Sequence, residues 1–409
     1  MKILIDARLS PDVNGGIQQA IIGLVESMKY SEIDGLEFYF LLYEGSEQWL
    51  SPYISDLNKI VFTEYPKSKF TIFQRLLSII RKHKVGDIAL HLLRLAKPFA
   101  FRVTEEPTIV KSLNPDVIHF AIQNGFKTKR PNIYQPHDLQ HLTLPSYFSR
   151  ESLLARSKIY GEMIEQATIV VVGNEWTKAD VIKAYPDAAK KIKNVPVMPQ
   201  LSPIRNLGSA RKTGRFNVIY PASYWVHKNH KNLFHAISIL KSLNYDVHLT
   251  CTGARLHNNP KLIDIIESLG ISKSVSLMGF VTRPELDELY AASDLLVMPS
   301  FFESESLPIW EAFSYGIPVA ASNITAIPSQ IDGAGILFDP NSPSDIAQAI
   351  LQIISDKDLA FELSQKGMAR ISKLTHQNTI SGYRTYYRLA TGSILDAHDT
   401  EWLKNGFVF

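Results

Sequence analysis

Two glutamates, Glu303 and Glu311, flank a polar turn with seven residues between them. The run Asp294–Met298 reads as a buried strand entering that turn, and a helix is expected to start near Leu307 and Pro308, where proline is well tolerated. Gly316 should stop that helix before another apolar strand, Pro318–Ala321. A strand-turn-helix leaves the first N–H groups of the helix free to meet a phosphate. Ser304, Ser306 and Leu307 occupy that stretch of backbone, and the two serines add hydroxyls. Carboxylates beside it can accept hydrogen bonds from sugar hydroxyls. A nucleotide-sugar carries both kinds of group.

Three further constellations could serve the same chemistry. Lys228 lies in the turn after the strand Asn217–Tyr220 and just ahead of a helix, where a cation can counter pyrophosphate charge. Gly15 and Gly16 sit between the first strand and an amphipathic helix; paired glycines let backbone approach a phosphate closely, although they also make ordinary turns. The segment Tyr134-Gln-Pro-His137-Asp138 follows a strand and is rich in groups that bind hydroxyls. Asp138 could orient the His137 imidazole, meet an acceptor, or simply cap a turn. His227 and His230 lack a third metal ligand in view and read as a cap and a surface histidine.

Positioning these residues calls for strands alternating with helices in both halves, hence parallel α/β sheets. The first half offers Lys2–Ile5, Glu37–Leu42, Val117–Phe120, Asn132–Gln135 and Ile169–Val172; the second offers Asn217–Tyr220, Asp246–Cys251, Ser276–Met278, Asp294–Met298 and Pro318–Ala321. The proline-rich run Pro196–Pro203 and the polar 205–215 read as a linker. The expected organisation is an N-terminal, acceptor-side Rossmann-like domain over 1–203 and a nucleotide-sugar domain over 204–380. A helical segment over 381–409 completes it. Two doubly wound domains place ligands at the carboxyl ends of their strands.

The Glu303/Glu311 pair, with Leu307-Pro308 between and Gly316-x-Pro318-Val319 after, resembles the signature of the retaining glycosyltransferases of family 4, whose fold is GT-B. The resemblance implies that Glu303 meets the donor sugar, Glu311 the ribose and Lys228 the diphosphate, with His137 reaching the sugar from the opposite domain. It further implies that Gly253 makes room for the nucleotide and that Phe280 and Val281 lie against its base. Gly16 would touch the donor phosphates and Gly15 the acceptor side. A last helix would cross back onto the first domain. The implied reaction is front-face transfer with retention, the leaving phosphate helping to deprotonate the acceptor. The donor would be a nucleoside diphosphate hexose such as mannose. The acceptor would be a glycan or lipid-linked hydroxyl in cell-surface polysaccharide synthesis. Two departures stand out: Ser304-Glu305-Ser306 replaces the usual glycine-phenylalanine-glycine, placing an extra acid near the pyrophosphate, and Ser223 stands where the family has an arginine. They make a non-catalytic sugar-nucleotide binder conceivable; a GT-B phosphorylase or sucrose-type synthase is the other alternative.

Composition narrows the class. The 409 residues are 45% hydrophobic and 20% charged, which suits a globular two-domain chain. A net charge of +3 without interleaved basic and aromatic residues speaks against a nucleic-acid partner. The early charges at Lys2, Asp6 and Arg8 fit a first strand rather than a signal peptide, and Cys251 alone makes no disulfide framework. The expected location is cytoplasmic. No Asp-x-Asp ends a strand, since Asp356-Lys-Asp358 lies between helical stretches, so no cofactor and no metal are expected. Between 67 and 102 nine Lys or Arg face one acid, Asp87, among interleaved apolar residues. Such a stretch suits the anionic inner face of a membrane, or helices packed on the first sheet with a solvated basic side.

Overall fold

The computed structural model describes residues 1–9, 15–30, 35–64, 103–201 and 214–407. The basic stretch 67–102 lies outside them, as do Asp12, Val13, Asn14 and most of the linker 205–215. No helix among the described residues is long and apolar enough to cross a membrane.

The described residues form two parallel sheets. The first holds β1 (Lys2–Asp6), β2 (Glu37–Tyr43), β3 (Asn58–Thr63), β4 (Val117–Phe120), β5 (Asn132–Tyr134), β6 (Ile169–Val172) and β7 (Ile192–Asn194), in the order β3-β2-β1-β4-β5-β6-β7. The second holds β8 (Phe216–Pro221), β9 (Val247–Thr252), β10 (Val275–Leu277), β11 (Leu295–Met298), β12 (Val319–Ser322) and β13 (Gly335–Phe338), ordered β10-β9-β8-β11-β12-β13. Both wind outward in two directions from a central pair, β1 with β4 and β8 with β11. A crevice opens at the carboxyl ends of such a pair.

Alternation within the strands explains the layers. Ile3, Ile5, Phe38, Phe40, Ile169 and Val171 bury into one face of the first sheet, whereas Leu4, Tyr39, Leu41, Val170 and Val172 bury into the other. The first face is covered by the helix Gly16–Ser27 and by the helix His376–Thr391, which supplies Ile380, Tyr383, Tyr386 and Tyr387. The C-terminal helix thus packs on the N-terminal sheet, beyond the second domain in sequence. A polar contact pins it there: His119 Nδ1 lies 2.9 Å from the Tyr387 hydroxyl, and Tyr383 donates to Gln135 Oε1 at 3.0 Å. Burial pushes the His119 imidazole down to about 3, so it sits neutral in the core.

Three strands, β3, β7 and β13, are absent from the sequence reading. All three are edge strands. An edge strand is paired on one side only and tolerates polar residues such as Lys59 and Lys193, which dilute the apolar signal. His230, expected at the surface, is instead buried among Tyr220, Tyr224 and Phe234, and burial holds its pKa down at about 3. Its place in the first turn of an amphipathic helix hides which way it faces.

Gly23 marks the closest approach between the helix Gly16–Ser27 and the interdomain connection. A Cβ there would lie 1.9 Å from the Met198 carbonyl oxygen. Gly23→Ala should therefore cost about 1–3 kcal/mol through forced displacement of backbone. Thermal unfolding would show this as a lowered Tm.

Candidate active site

The carboxyl ends of the two sheets face each other across a cavity of about 200 Å3. From the first domain it is lined by Gly16, Gln135, His137, Asp138, Gly173 and Thr177, and from the second by His227, Lys228, Glu303, Ser304, Glu305 and Leu307. Residues as far apart in sequence as Gly16 and Leu307 thus share one enclosure, because each follows the end of a strand.

The Lys228 turn is built from β8. Val226–Lys228 forms a single 3-10 turn, and Asn229 follows with φ 57°, a left-handed conformation that asparagine accepts more readily than most residues. The buried Asn229 side chain donates to the Pro299 and Pro340 carbonyls at 2.9 and 2.8 Å, tying this turn to the end of β11. Tyr220 donates to the Lys228 carbonyl at 2.6 Å. The Lys228 ammonium then reaches Glu303 Oε1 at 2.7 Å. Glu303 is fixed through its backbone: its N–H donates to Thr325 Oγ1 at 3.2 Å and its carbonyl accepts from the same hydroxyl at 2.6 Å. The pair lies at the β8/β11 crevice, with side chains 21% and 9% exposed.

The helix Leu307–Ser314 begins as expected, with Pro308 in its first turn, and Gly316 follows at φ 63°. Its Ser306 N-cap is occupied: the Ser306 N–H donates to Gln330 Oε1 at 3.0 Å and Gln330 Nε2 donates to the Ser306 carbonyl at 2.7 Å. Ser306 is buried behind the cavity wall rather than in it. Glu311 also lies outside that wall. Its Oε1 accepts from Arg283 at 2.5 Å and its Oε2 from the Tyr290 hydroxyl at 2.7 Å. Burial raises the Glu311 pKa and Arg283 opposes the rise.

On the facing side, the Gly15 N-cap has no side chain to cap the helix Gly16–Ser27, and the first turn carries no acid, so its positive end opens toward the cavity at Gly16. Gly15 itself is exposed. His137 has φ 65°, a conformation costing about 1–2 kcal/mol for a non-glycine residue. Its Nε2 lies 2.9 Å from the Ala121 carbonyl, which can only accept, so Nε2 carries the proton and Nδ1 is the free lone pair of the neutral ring. Burial lowers its pKa. The partner that orients this imidazole is therefore Ala121, not Asp138. The Asp138 carboxylate accepts instead from the Gln140 N–H at 3.0 Å and from Gln123 at 3.3 Å. Burial raises its pKa.

Gly253, Phe280 and Val281 do not line this cavity. Gly253 adopts φ 141°, and a Cβ on it would come within 2.6 Å of the Ser223 backbone nitrogen. Its smallness serves close packing of two strand-end loops. Ser223, where an arginine would be usual, accepts from the Ala254 N–H at 3.1 Å. Phe280 is 64% exposed on the loop beyond β10.

Glu305 differs most from its sequence reading. Half-buried between the domains, it accepts from Trp310 Nε1 at 3.3 Å, and desolvation pushes its pKa up to about 8. Desolvation thus favours its uncharged form, while the hydrogen bonds from Trp310 and the Val197 backbone oppose that shift. Sequence reasoning also missed Asn174 and Thr177, which bridge the cleft to the Ser304 carbonyl at 2.7 and 3.4 Å. The signal was present: an asparagine just past the strand Ile169–Val172, with a threonine three residues on, is a helix N-cap at a carboxyl end.

Two doubly wound domains with their carboxyl ends apposed across a cleft make this a GT-B protein, and known structures agree. HepE of Anabaena, in complex with UDP-glucose, aligns at TM-score 0.65 and 18% identity over 96% of this chain and 100% of that one. TarM aligns at TM-score 0.67 and 12% identity over 94% of this chain and 98% of that one. Residues 208–370 match the family described as glycosyl transferases group 1. The O-antigen chain mannosyltransferase B of Escherichia coli is 26% identical over 278 residues, 62% of this chain and 73% of that protein. The D-inositol 3-phosphate glycosyltransferase of Corynebacterium jeikeium is 30% identical over 138 residues, which is 33% of each protein. The match to the group 1 glycosyltransferase family falls on the C-terminal half of the chain, the half that carries Lys228, Glu303 and Glu311.

The Arg283–Glu311 pair generates a stability prediction. Replacing Arg283 by Met strands a buried carboxylate, at a cost of about 3–5 kcal/mol. Without Arg283 the folded-state pKa of Glu311 rises further above 4.5. A group with a raised folded pKa keeps its stability below the unfolded value and loses it as pH climbs through the folded one. The Tm deficit of Arg283→Met should accordingly be larger at pH 8 than at pH 5. An equal deficit at both would show that Glu311 is not the cause.

Proposed function

We propose that this enzyme transfers a hexose, mannose or a close relative, from a nucleoside diphosphate donor to a hydroxyl of a glycan or lipid-linked acceptor, with retention and without a metal. The carrying observation is the Lys228–Glu303 pair at 2.7 Å, facing His137 and the Gly16 helix end across one cavity. The mannosyltransferase among the relatives supports the choice of sugar and a role in surface polysaccharide.

In this reading the donor diphosphate enters between Lys228 and the Gly16 helix end, where a cation and a helix dipole both favour it. Lys228 turns from Glu303 to phosphate, freeing the Glu303 carboxylate to accept from sugar hydroxyls. His137 presents Nδ1 or its protonated form from the opposite wall, and Asp138 lies beside the acceptor. Glu311, held by Arg283 and Tyr290, receives the ribose at the outer end. The bond from C1 to the phosphate oxygen breaks as the acceptor oxygen bonds to C1 on the same face. The acceptor proton passes to the departing phosphate. Lys228 supplies the positive charge that a metal supplies elsewhere, which is the ground for metal independence.

The experiment is nucleoside diphosphate release by the purified chain with UDP- and GDP-linked hexoses and a hydroxyl acceptor, in EDTA and in excess Mg2+. Release with GDP-mannose unaffected by EDTA is expected, and NMR of the product should show the donor's anomeric configuration. Inversion, or dependence on added metal, would overturn the mechanism. Lys228→Ala should lower kcat by about 10²–10³, the loss typical for one preorganised charge stabiliser. Near-normal turnover of a folded variant would remove Lys228 from that role.

A further inference from the structure

The loop 302–305 runs between two anchors in its own domain. Thr325 brackets the Glu303 backbone, and Gln330 brackets that of Ser306. Between those anchors the support comes from the first domain. Among the described residues, the Ser304 carbonyl accepts from Asn174 Nδ2 at 2.7 Å and from Thr177 Oγ1 at 3.4 Å. Trp176 packs edge-on to Phe302 with 5.9 Å between ring centroids, and a Cβ on Gly173 would meet Glu305 Oε2 at 2.1 Å. Positions 173, 174, 176 and 177, just past β6, thus all meet one loop of the other domain.

The residue type at 174 answers two demands at once. Its Oδ1 accepts from the Thr177 N–H at 2.9 Å and from Thr177 Oγ1 at 3.0 Å, which caps the helix Glu175–Ala184. A backbone N–H only donates and a carbonyl only accepts, so the amide has one orientation, with Nδ2 toward Ser304. Serine or aspartate would cap the helix equally well. Only asparagine caps through one atom and donates through another.

The consequence for the site follows from peptide planarity. A trans peptide points its C=O and its N–H in opposite directions, and no cis peptide occurs among the described residues. Asn174 does not line the cavity of Lys228 and Glu303; it lines a second one of about 320 Å3, beside Trp310 and Arg370. Drawing the Ser304 carbonyl to Asn174 therefore turns the Glu305 N–H the other way, toward the first cavity, whose wall Ser304 and Glu305 form. The preceding peptide is set likewise from its own domain. Thr325 Oγ1 donates to the Glu303 carbonyl and leaves the Ser304 N–H on the opposite side. Neither N–H donates to any described residue.

We propose that Asn174 is a positioning residue supplied by the first domain, holding the Ser304–Glu305 peptide so that its N–H, and not its carbonyl, faces the anionic oxygens of a bound diphosphate. The proposal rests on the reading that a nucleoside diphosphate sugar occupies this cavity. An N–H there stabilises the phosphate, whereas a carbonyl in its place would repel it. The donor site of the second domain is then incomplete without a side chain of the first.

The test is isothermal titration calorimetry of the full chain with UDP and GDP, and with uridine and guanosine, which carry no phosphate. Asn174→Ser and Asn174→Asp both keep the helix cap and both lose the Nδ2 donor, and only the second adds a charge. Each should bind the diphosphate about 10–100-fold more weakly than the wild type, the loss expected for one hydrogen bond to an anion, with nucleoside affinity unchanged. Wild-type diphosphate affinity in Asn174→Ser would overturn the proposal, even if its Tm were lower. An equal loss for the nucleosides would overturn it too, since that marks a purely structural role. A wild type that binds neither UDP nor GDP would instead remove the reading of the cavity, and this proposal with it.

Discussion

Everything in this molecule that can do chemistry depends on one constraint: in a parallel sheet the loops that follow strands all emerge at the same edge. Two such sheets, each wound outward from a central pair, set their carboxyl edges face to face. Lys228 follows β8 and Glu303 follows β11, the two strands of the second central pair. Gly16 follows β1 and His137 follows β5. Their meeting in one cavity is a consequence of winding, and no local sequence feature specifies it.

Within that frame the site is held by backbone-directed contacts rather than by charge alone. Asn229 ties the Lys228 turn to the ends of β11 and β13, and Thr325 brackets Glu303 from both sides of its peptide. The Lys228 turn and the Glu303 backbone are therefore each fixed by neutral hydrogen bonds, independently of the ion pair between them. The C-terminal helix contributes from a distance: Tyr383 holds Gln135, which lines the cavity, and Tyr387 meets the buried His119. A helix distant in sequence thus stiffens the first-domain wall of the cavity.

The two departures from the family pattern have different physical readings. Ser223 is a local repair, its hydroxyl accepting an N–H from the loop that Gly253 brings close. Glu305 is a part-buried acid that accepts from Trp310 of its own domain and lies against Gly173 of the first. A residue read from sequence as an electrostatic obstacle becomes a contact between domains.

The sequence by itself determined the class of fold, ten of the thirteen described strands to within a residue or two, the helix that starts at Leu307, and the residues Glu303, Lys228 and His137 that share the cavity. These are local signals: buried parallel strands read as continuous apolar runs, and turns announce themselves by glycine, proline and serine. It did not show the edge strands β3, β7 and β13, the burial of His230, the Ala121 carbonyl behind His137 or the Asn174 bridge to Ser304. Nor did it show that Arg283 and Tyr290 occupy Glu311, or that Gly253 serves packing rather than lining the cavity. Each of those depends on what lies across a gap in space, and the charge state of a carboxyl depends on the water around it. Only the tertiary structure sets those distances and that solvation.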